Sequence, residues 1–98
     1  MSDPREEELR GRRGRITLHV WRHETPRYVA LIAHGYGEHA RRYDHVAARL
    51  REHGAAVFAP DHLGHGRSEG PRALIERFDD LVDDLHTAAG RALSLIHI

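Results

Sequence analysis

A chain of 98 residues is long enough for one small domain, and it buries a smaller share of its surface than a full-sized enzyme domain does. Its 15 basic and 15 acidic residues cancel, which removes the global field that would draw in nucleic acid or an anionic membrane, and with no cysteine it can have neither disulfides, thiolate metal sites nor a cysteine nucleophile. The start, Met1 to Glu8, is too charged for a signal peptide and no apolar run is long enough to span a bilayer, so a cytoplasmic protein without an integral membrane segment is expected.

In chain order, residues 1–10 read as an acidic, frayed leader. Gly11-Arg12-Arg13-Gly14 then offers two glycines able to take positive φ, which predicts a hairpin turn. Beyond it Ile16, Leu18 and Val20 alternate with Thr17, His19 and Trp21, the period of a strand with one covered face, from Arg15 to Arg22. Glu24-Thr25-Pro26-Arg27 breaks that strand, because proline cannot donate to a sheet ladder. Tyr28 to Ala33 is continuously apolar, which suits a central strand of a parallel sheet. After the loop His34 to His39, Tyr43, Val46, Ala47 and Leu50 recur at helical spacing, with Gly54 placed as a left-handed C-cap.

Ala55 to Ala59 is the next short apolar strand, closed by Pro60 and followed by a glycine-rich loop from Asp61 to Gly70. Leu74, Ile75, Phe78, Leu81, Val82, Leu85 and Ala89 predict a second helix, with Asp79 and Asp80 near its start and Gly90 as its stop. Strand, helix, strand, helix is the signature of a doubly wound α/β sheet. The end, Ala92 to Ile98, reads either as the first residues of a further apolar strand or as an artefactual tail. Residues 11–90 are accordingly taken as the folded portion and 91–98 as a truncated or non-native tail.

Ligands of open α/β sheets bind beyond the carboxyl ends of the strands, so the loop beginning at His34 is where a site is expected. Acyl transfer needs backbone N–H groups aimed at a developing oxyanion, and glycine lets the main chain approach substrate closely. In His34-Gly35-Tyr36-Gly37 the peptide N–H of Tyr36 is the natural donor; the alternative is an ordinary strand-to-helix turn. Gly66-Arg67-Ser68-Glu69-Gly70 fits the GxSxG pattern of a nucleophile elbow. An elbow needs an apolar strand running straight into the turn and a helix straight out of it, whereas here the strand ends at Ala59 and Pro71 follows, so Ser68 is rejected as nucleophile. Ser2 and Ser94 have no glycine frame at all.

Together, His34-Gly35-Tyr36-Gly37-Glu38-His39, Arg42-Tyr43 opening a helix, and Pro60-Asp61-His62-Leu63-Gly64-His65-Gly66-Arg67-Ser68-Glu69-Gly70 after the next strand resemble the monoacylglycerol lipase and lysophospholipase group of the α/β hydrolases, of the serine aminopeptidase S33 type, from about Arg15 to Gly90. The resemblance implies the N-terminal, incomplete part of an α/β-hydrolase fold and a serine hydrolase of carboxylic esters with a lipid-like substrate and no cofactor. It implies that His34, Gly35 and Gly37 shape an oxyanion loop in which Tyr36 supplies one N–H. Glu38 and Arg42 match polar positions near the alcohol end of the substrate pocket, and Asp61, Gly64, His65 and Gly66 match a loop that buttresses the site without bond-making; the alternative for Asp61 and His65 is an ordinary hydrogen-bonded turn. The triad serine belongs after the next strand, with the acid and histidine beyond it, so no triad member is assigned in these residues. The chain alone is expected to be inactive and to expose an unpaired sheet edge.

Three rival readings stand beside this one. The chain is a non-catalytic binding fragment; or a histidine-based metal module, with Asp61, His62 and His65 as ligands drawn from a set that includes His34, His39, His45 and His53; or a nucleic-acid-binding segment built on Arg10, Arg12, Arg13 and Arg15. Against metal, His39, His45 and His53 share no i, i+4 face and the α/β pattern already explains the glycines. Against nucleic acid, Glu6 to Glu8 lie beside the arginines and no stacking aromatic is interleaved.

Overall fold

The computed structural model describes residues 3–96; residues 1–2 and 97–98, part of the expected leader and tail, lie outside the described residues. Within the expected leader, residues 5–10 are ordered in the sheet. Arg5–Arg10 forms strand β1, antiparallel to β2, Arg15–Trp21, with Arg5 opposite Val20 and Arg10 opposite Arg15. Its side chains alternate in a way that charge conceals: Glu6 and Glu8 face solvent while Glu7 and Leu9 turn inward, Leu9 against the core and Glu7 onto Arg91 at 2.7 Å. The β1–β2 turn is closed by Gly11 N–H to Gly14 O at 2.8 Å. Neither glycine has positive φ, contrary to the expectation. Gly11 is required for space, because a Cβ there would stand 2.5 Å from Ile16 Cγ1 and 2.9 Å from Asp84 Oδ1.

Strand β3, Tyr28–Leu31, is followed by a 3₁₀ turn at Ala40–Tyr43, helix α1 at Asp44–Glu52, strand β4 at Ala55–Pro60 and helix α2 at Phe78–Leu95. The sheet order is β1-β2-β4-β3, with β3 parallel to β4 and the other neighbours antiparallel. Among the described residues β3 lies at an edge of the sheet, with Tyr28 and Leu31 both 39% exposed, and β4 lies inside it with every residue buried. An apolar run signals burial against neighbours but carries no information on strand order.

Alternate residues of β4 feed two cores. Ala56 and Phe58 pack with Leu18, Val20, Ala88 and Ala92 beneath α2, while Ala55, Val57 and Ala59 pack with Trp21, Ala40 and Ala47 beneath α1. Complete burial of a side chain such as Phe58 stabilises by roughly 1.5–3 kcal/mol. Strand β2 is likewise covered on both faces, not on one. Thr17, His19 and Trp21 are as buried as Ile16, Leu18 and Val20, which makes the polar pair Thr17 and His19 interior groups that need partners.

Helix α1 ends as expected, with Gly54 at φ +100° donating to Arg51 O at 3.0 Å. Helix α2 differs from its expected span at both ends. Leu74 and Ile75 precede it, because the chain is held in a separate turn by Ala73 N–H to Gly64 O at 2.8 Å and Leu74 N–H to Pro71 O at 3.1 Å. Gly90 does not stop it: Ala88 and Ala92, one turn apart, both pack on the sheet and carry the helix into the expected tail as far as Leu95. No helix among the described residues is long and apolar enough to cross a membrane. Three of the arginines of the nucleic-acid reading lie beside carboxylates, Arg13 at 2.6 Å from Asp80, Arg12 at 3.6 Å from Asp83 and Arg15 at 4.0 Å from Glu8.

Candidate active site

Because β3 and β4 are parallel, the loops leaving them emerge at the same edge of the sheet, and there they clasp each other. His34 is 4% exposed; its Nδ1–H donates to Gly35 O at 2.8 Å, leaving Nε2 to accept from His62 N–H at 3.0 Å. His62 replies through Nε2–H to His34 O at 2.9 Å. His65 donates from Nδ1–H to Leu63 O at 2.9 Å and accepts at Nε2 from Gly37 N–H, also at 2.9 Å. An imidazole nitrogen that faces an N–H must offer a lone pair, so the partners fix the tautomers of His34 and His65. The three rings stack closely, His34 and His62 with centroids 4.1 Å apart and His34 and His65 5.2 Å apart.

Four N–H groups of the first loop, those of Gly35, Gly37, Glu38 and Ala40, have acceptors. Gly35 N–H donates to Glu38 Oε1 at 2.8 Å, Glu38 N–H to Gly35 O at 3.1 Å, Gly37 N–H to His65, and Ala40 N–H to Asp61 Oδ1 at 2.7 Å. The N–H of Tyr36 has no acceptor among the described residues. Its side chain is anchored instead, the phenol donating to Ala73 O at 2.7 Å with the ring edge-on to His65. Glu38 Oε1 also accepts from Tyr43 O–H at 2.7 Å, and Glu38 Oε2 lies 3.4 Å from Arg42 Nε. The Tyr43 hydroxyl, then the Gly35 N–H, hold the Glu38 carboxyl below its ordinary range, and the same carboxylate holds the Tyr43 phenol above its own. Glu38 and Arg42 are thus brought together, but one oxygen of Glu38 is turned inward onto the loop.

Asp61 ties the second loop to β2 and to the 3₁₀ turn, and closes the loop on itself at Arg67. It is 1% exposed; beyond the Ala40 N–H on Oδ1, its Oδ2 accepts from His19 Nε2 at 2.8 Å and from Arg67 N–H at 3.0 Å. Burial alone would push this carboxyl up, but the hydrogen bonds from His19, Ala40 and Arg67 together outweigh it and hold Asp61 below its usual value. Gly64, at φ +75°, donates to Glu69 O at 2.7 Å and accepts from Ala73, while Gly66 lies directly against the Asp61 carboxyl. Ser68 Oγ donates to Asp61 O at 2.7 Å and accepts from Thr17 N–H at 2.8 Å, so it stitches this loop to β2. The GxSxG match at Ser68 is a structural turn with no imidazole on its hydroxyl.

Asp61, His62 and His65, the candidate metal ligands, have their facing atoms committed to these hydrogen bonds: both oxygens of Asp61, Nε2 of His62 and both nitrogens of His65. The sequence reading missed three partners, His19, Thr17 and Tyr43. The first two were hidden by the alternation of β2, which marks polar positions as solvent-facing.

Burial holds both His34 and His62 below the ordinary histidine value of 6.5. Their folded state refuses a proton that the unfolded chain accepts, so their contribution to stability is complete above pH 6.5 and is lost as pH falls through the folded values. In an NMR titration the ring protons of His34 and His62 are expected to shift with midpoints below 6.5; midpoints at or above that value would contradict the neutral clasp.

A mixed sheet flanked by helices on both faces, with a glycine-bearing loop folded over the carboxyl end of its parallel pair, defines the chain as part of an α/β hydrolase. The family model described as serine aminopeptidase, S33 matches residues 24–94, and the chain belongs to that family. It is 48% identical over 79 residues to a monoacylglycerol lipase of Mycolicibacterium smegmatis, covering 80% of this chain and 28% of that one. It is 46% identical over 61 residues to the monoglyceride lipase of Rattus norvegicus, covering 62% of this chain and 20% of that one. Among solved structures, a highly thermostable carboxyl esterase from Bacillus coagulans superimposes with a TM-score of 0.80 at 23% identity, over 97% of this chain and 33% of that one, a likeness of fold. The chain thus spans 20% to 28% of the length of these two curated relatives.

Proposed function

We propose that the protein to which this chain belongs is a serine hydrolase of carboxylic esters, acting on a monoacylglycerol or lysophospholipid, and that the Tyr36 N–H is one donor of its oxyanion hole. The observation that carries this reading is the distribution of hydrogen bonds in the loop after β3. Gly35, Gly37, Glu38 and Ala40 have their N–H groups committed, whereas those of His34, Tyr36 and His39 have no acceptor among the described residues; of these three, the Tyr36 N–H lies between the fixed peptides of Gly35 and Gly37, in the loop that leaves the carboxyl end of β3. A donor meant for a transient oxyanion must be fixed in place yet unoccupied at rest. The substrate class follows from the relatives named monoacylglycerol and monoglyceride lipases. In this reading His34 and Gly35 shape the oxyanion loop, Glu38 and Arg42 border the alcohol end of the pocket, and the protein works in the cytoplasm, consistent with a chain that has no cysteine.

The nucleophile, acid and base lie outside the described residues in this reading, and the 98-residue chain alone is inactive. Ser68 and Ser94 support it, since Ser68 Oγ donates to Asp61 O and Ser94 Oγ to Arg91 O, neither to an imidazole. The test is to express the reading frame continued past Ile98 and assay release of fatty acid from monoacylglycerol and lysophospholipid. Hydrolysis that is blocked by a serine-directed phosphonate is expected; no hydrolysis of either substrate would overturn the reading. Ser68→Ala in that protein is expected to keep kcat while lowering stability by about 1 kcal/mol, the worth of its hydrogen bonds. Abolished turnover in a folded Ser68→Ala protein would make Ser68 the nucleophile after all.

A further inference from the structure

His19 lies on β2 and is 1% exposed. Its Nε2 faces Asp61 Oδ2 at 2.8 Å, and its Nδ1 is buried with no partner among the described residues. A buried lone pair without a donor is tolerated better than a buried N–H without an acceptor, and Asp61 Oδ2 needs a donor. The arrangement therefore selects the Nε2–H tautomer. Asp61 Oδ2 is held by this N–H and by Arg67 N–H, which leaves Oδ1 directed at Ala40 N–H, where the oxyanion loop enters the 3₁₀ turn.

We propose that His19 is a positioning residue for the oxyanion loop, acting through Asp61. The loop is fixed at its start by His34, at its middle by Gly37 on His65, and at its far end by Ala40 on Asp61. His19 sets the rotation of the carboxylate that makes the last of these anchors, and so the plane in which the Tyr36 peptide is presented. This rests on the hydrolase reading above for its catalytic consequence, but the anchoring itself can be read without catalysis.

The wild-type chain is examined first by long-range ¹⁵N–¹H correlation of the histidine rings. A protonated Nε2 and a bare Nδ1 on His19 are expected; the reverse tautomer overturns the proposal without any variant. In His19→Leu, which has no donor, amide exchange at Ala40 is expected to accelerate by about tenfold, the equivalent of one hydrogen bond, while Val57 and Phe58 in β4 keep their protection. His19→Gln, which restores an N–H near the Nε2 position, is expected to recover it. Exchange at Ala40 that does not respond, or that accelerates equally in β4 in both variants, gives His19 only a packing role. In the protein continued past Ile98, His19→Leu is expected to lower kcat between about tenfold and 100-fold at constant KM, because a small misplacement of a donor acts on the transition state. His19→Gln restores it. A wild-type protein without esterase activity would sink the hydrolase reading and leave the amide result standing, whereas a fully active His19→Leu enzyme would sink the positioning role alone.

Discussion

Replacing Asp61 by asparagine is expected to remove about 3 kcal/mol of stability, the scale of a broken buried pair, from a chain whose total at this length is roughly 5–15 kcal/mol. The carboxylate accepts from Ala40 N–H on one oxygen and from His19 Nε2–H and Arg67 N–H on the other. An asparagine has one carbonyl and one NH₂. With the carbonyl toward Ala40, the NH₂ confronts two donors; with it reversed, the NH₂ confronts Ala40. His19 could change tautomer and accept, but only by placing a hydrogen on Nδ1, which is buried and has no partner among the described residues. Each route buries at least one donor without an acceptor. Urea unfolding followed by the fluorescence of Trp21, the single and buried tryptophan, measures the loss, and a change under about 1 kcal/mol would show that the loop relaxes around the amide. The acid limb should change as well. Asp61 is held below its usual 3.8, so its contribution is present above that value and is lost as pH falls through the folded one; the asparagine protein should lack that part of its acid sensitivity.

The elements that were legible in the sequence are those whose pattern is set by the local chain. Strand β4 reads as a short apolar run between Gly54 and Pro60, and α1 as an amphipathic stretch with its glycine cap, because burial on one or both faces determines residue type directly. The loops at His34 and Asp61 were singled out by their resemblance to one hydrolase group, and the fold brings them into contact through His34, His62 and His65. What was not legible depends on distant partners. Strand β1 is five charges in six residues and has little intrinsic preference for a sheet; it exists because Glu7 meets Arg91, 84 residues away, and Leu9 meets the core. His19 was hidden for a related reason. In an alternating strand a histidine reads as solvent-facing, and only the return of β4 and its loop over that face places Asp61 against it.

These misses share one physical origin with the site itself. Both faces of β2 are covered, so its polar residues must be satisfied internally, and the groups that satisfy them are those of the Asp61 loop: Ser68 Oγ for Thr17 N–H, Arg67 O for Thr17 Oγ1, and Asp61 for His19. The loop is thereby fixed to the sheet before it touches the loop that follows β3. His65 and Asp61 then transmit that fixed geometry to Gly37 and Ala40. A backbone donor on a loop can be as well placed as one on a helix when its neighbours are tied to a covered strand.

Gly66→Ala is expected to have the second large effect, above about 3 kcal/mol, and for two reasons that can be separated. At φ +50° an alanine in the left-handed region costs roughly 1–2 kcal/mol whatever its surroundings, and its methyl group adds an overpacking cost of about 1–3 kcal/mol against the Asp61 carboxyl. That carboxyl cannot turn aside, because Ala40, His19 and Arg67 hold it from three directions. Gly66 and Asp61 should therefore be energetically coupled. In an Asp61→Ala background the three nearest contacts of the methyl group, all to the carboxyl, are removed while the backbone part of the cost remains, so the double variant should be more stable than the sum of the single losses by about 2 kcal/mol. Chemical denaturation of the four proteins of this cycle gives the coupling directly. Additivity within about 0.5 kcal/mol would mean that the glycine is needed for its backbone angle alone, and that the Asp61 carboxylate has room to move in the folded chain.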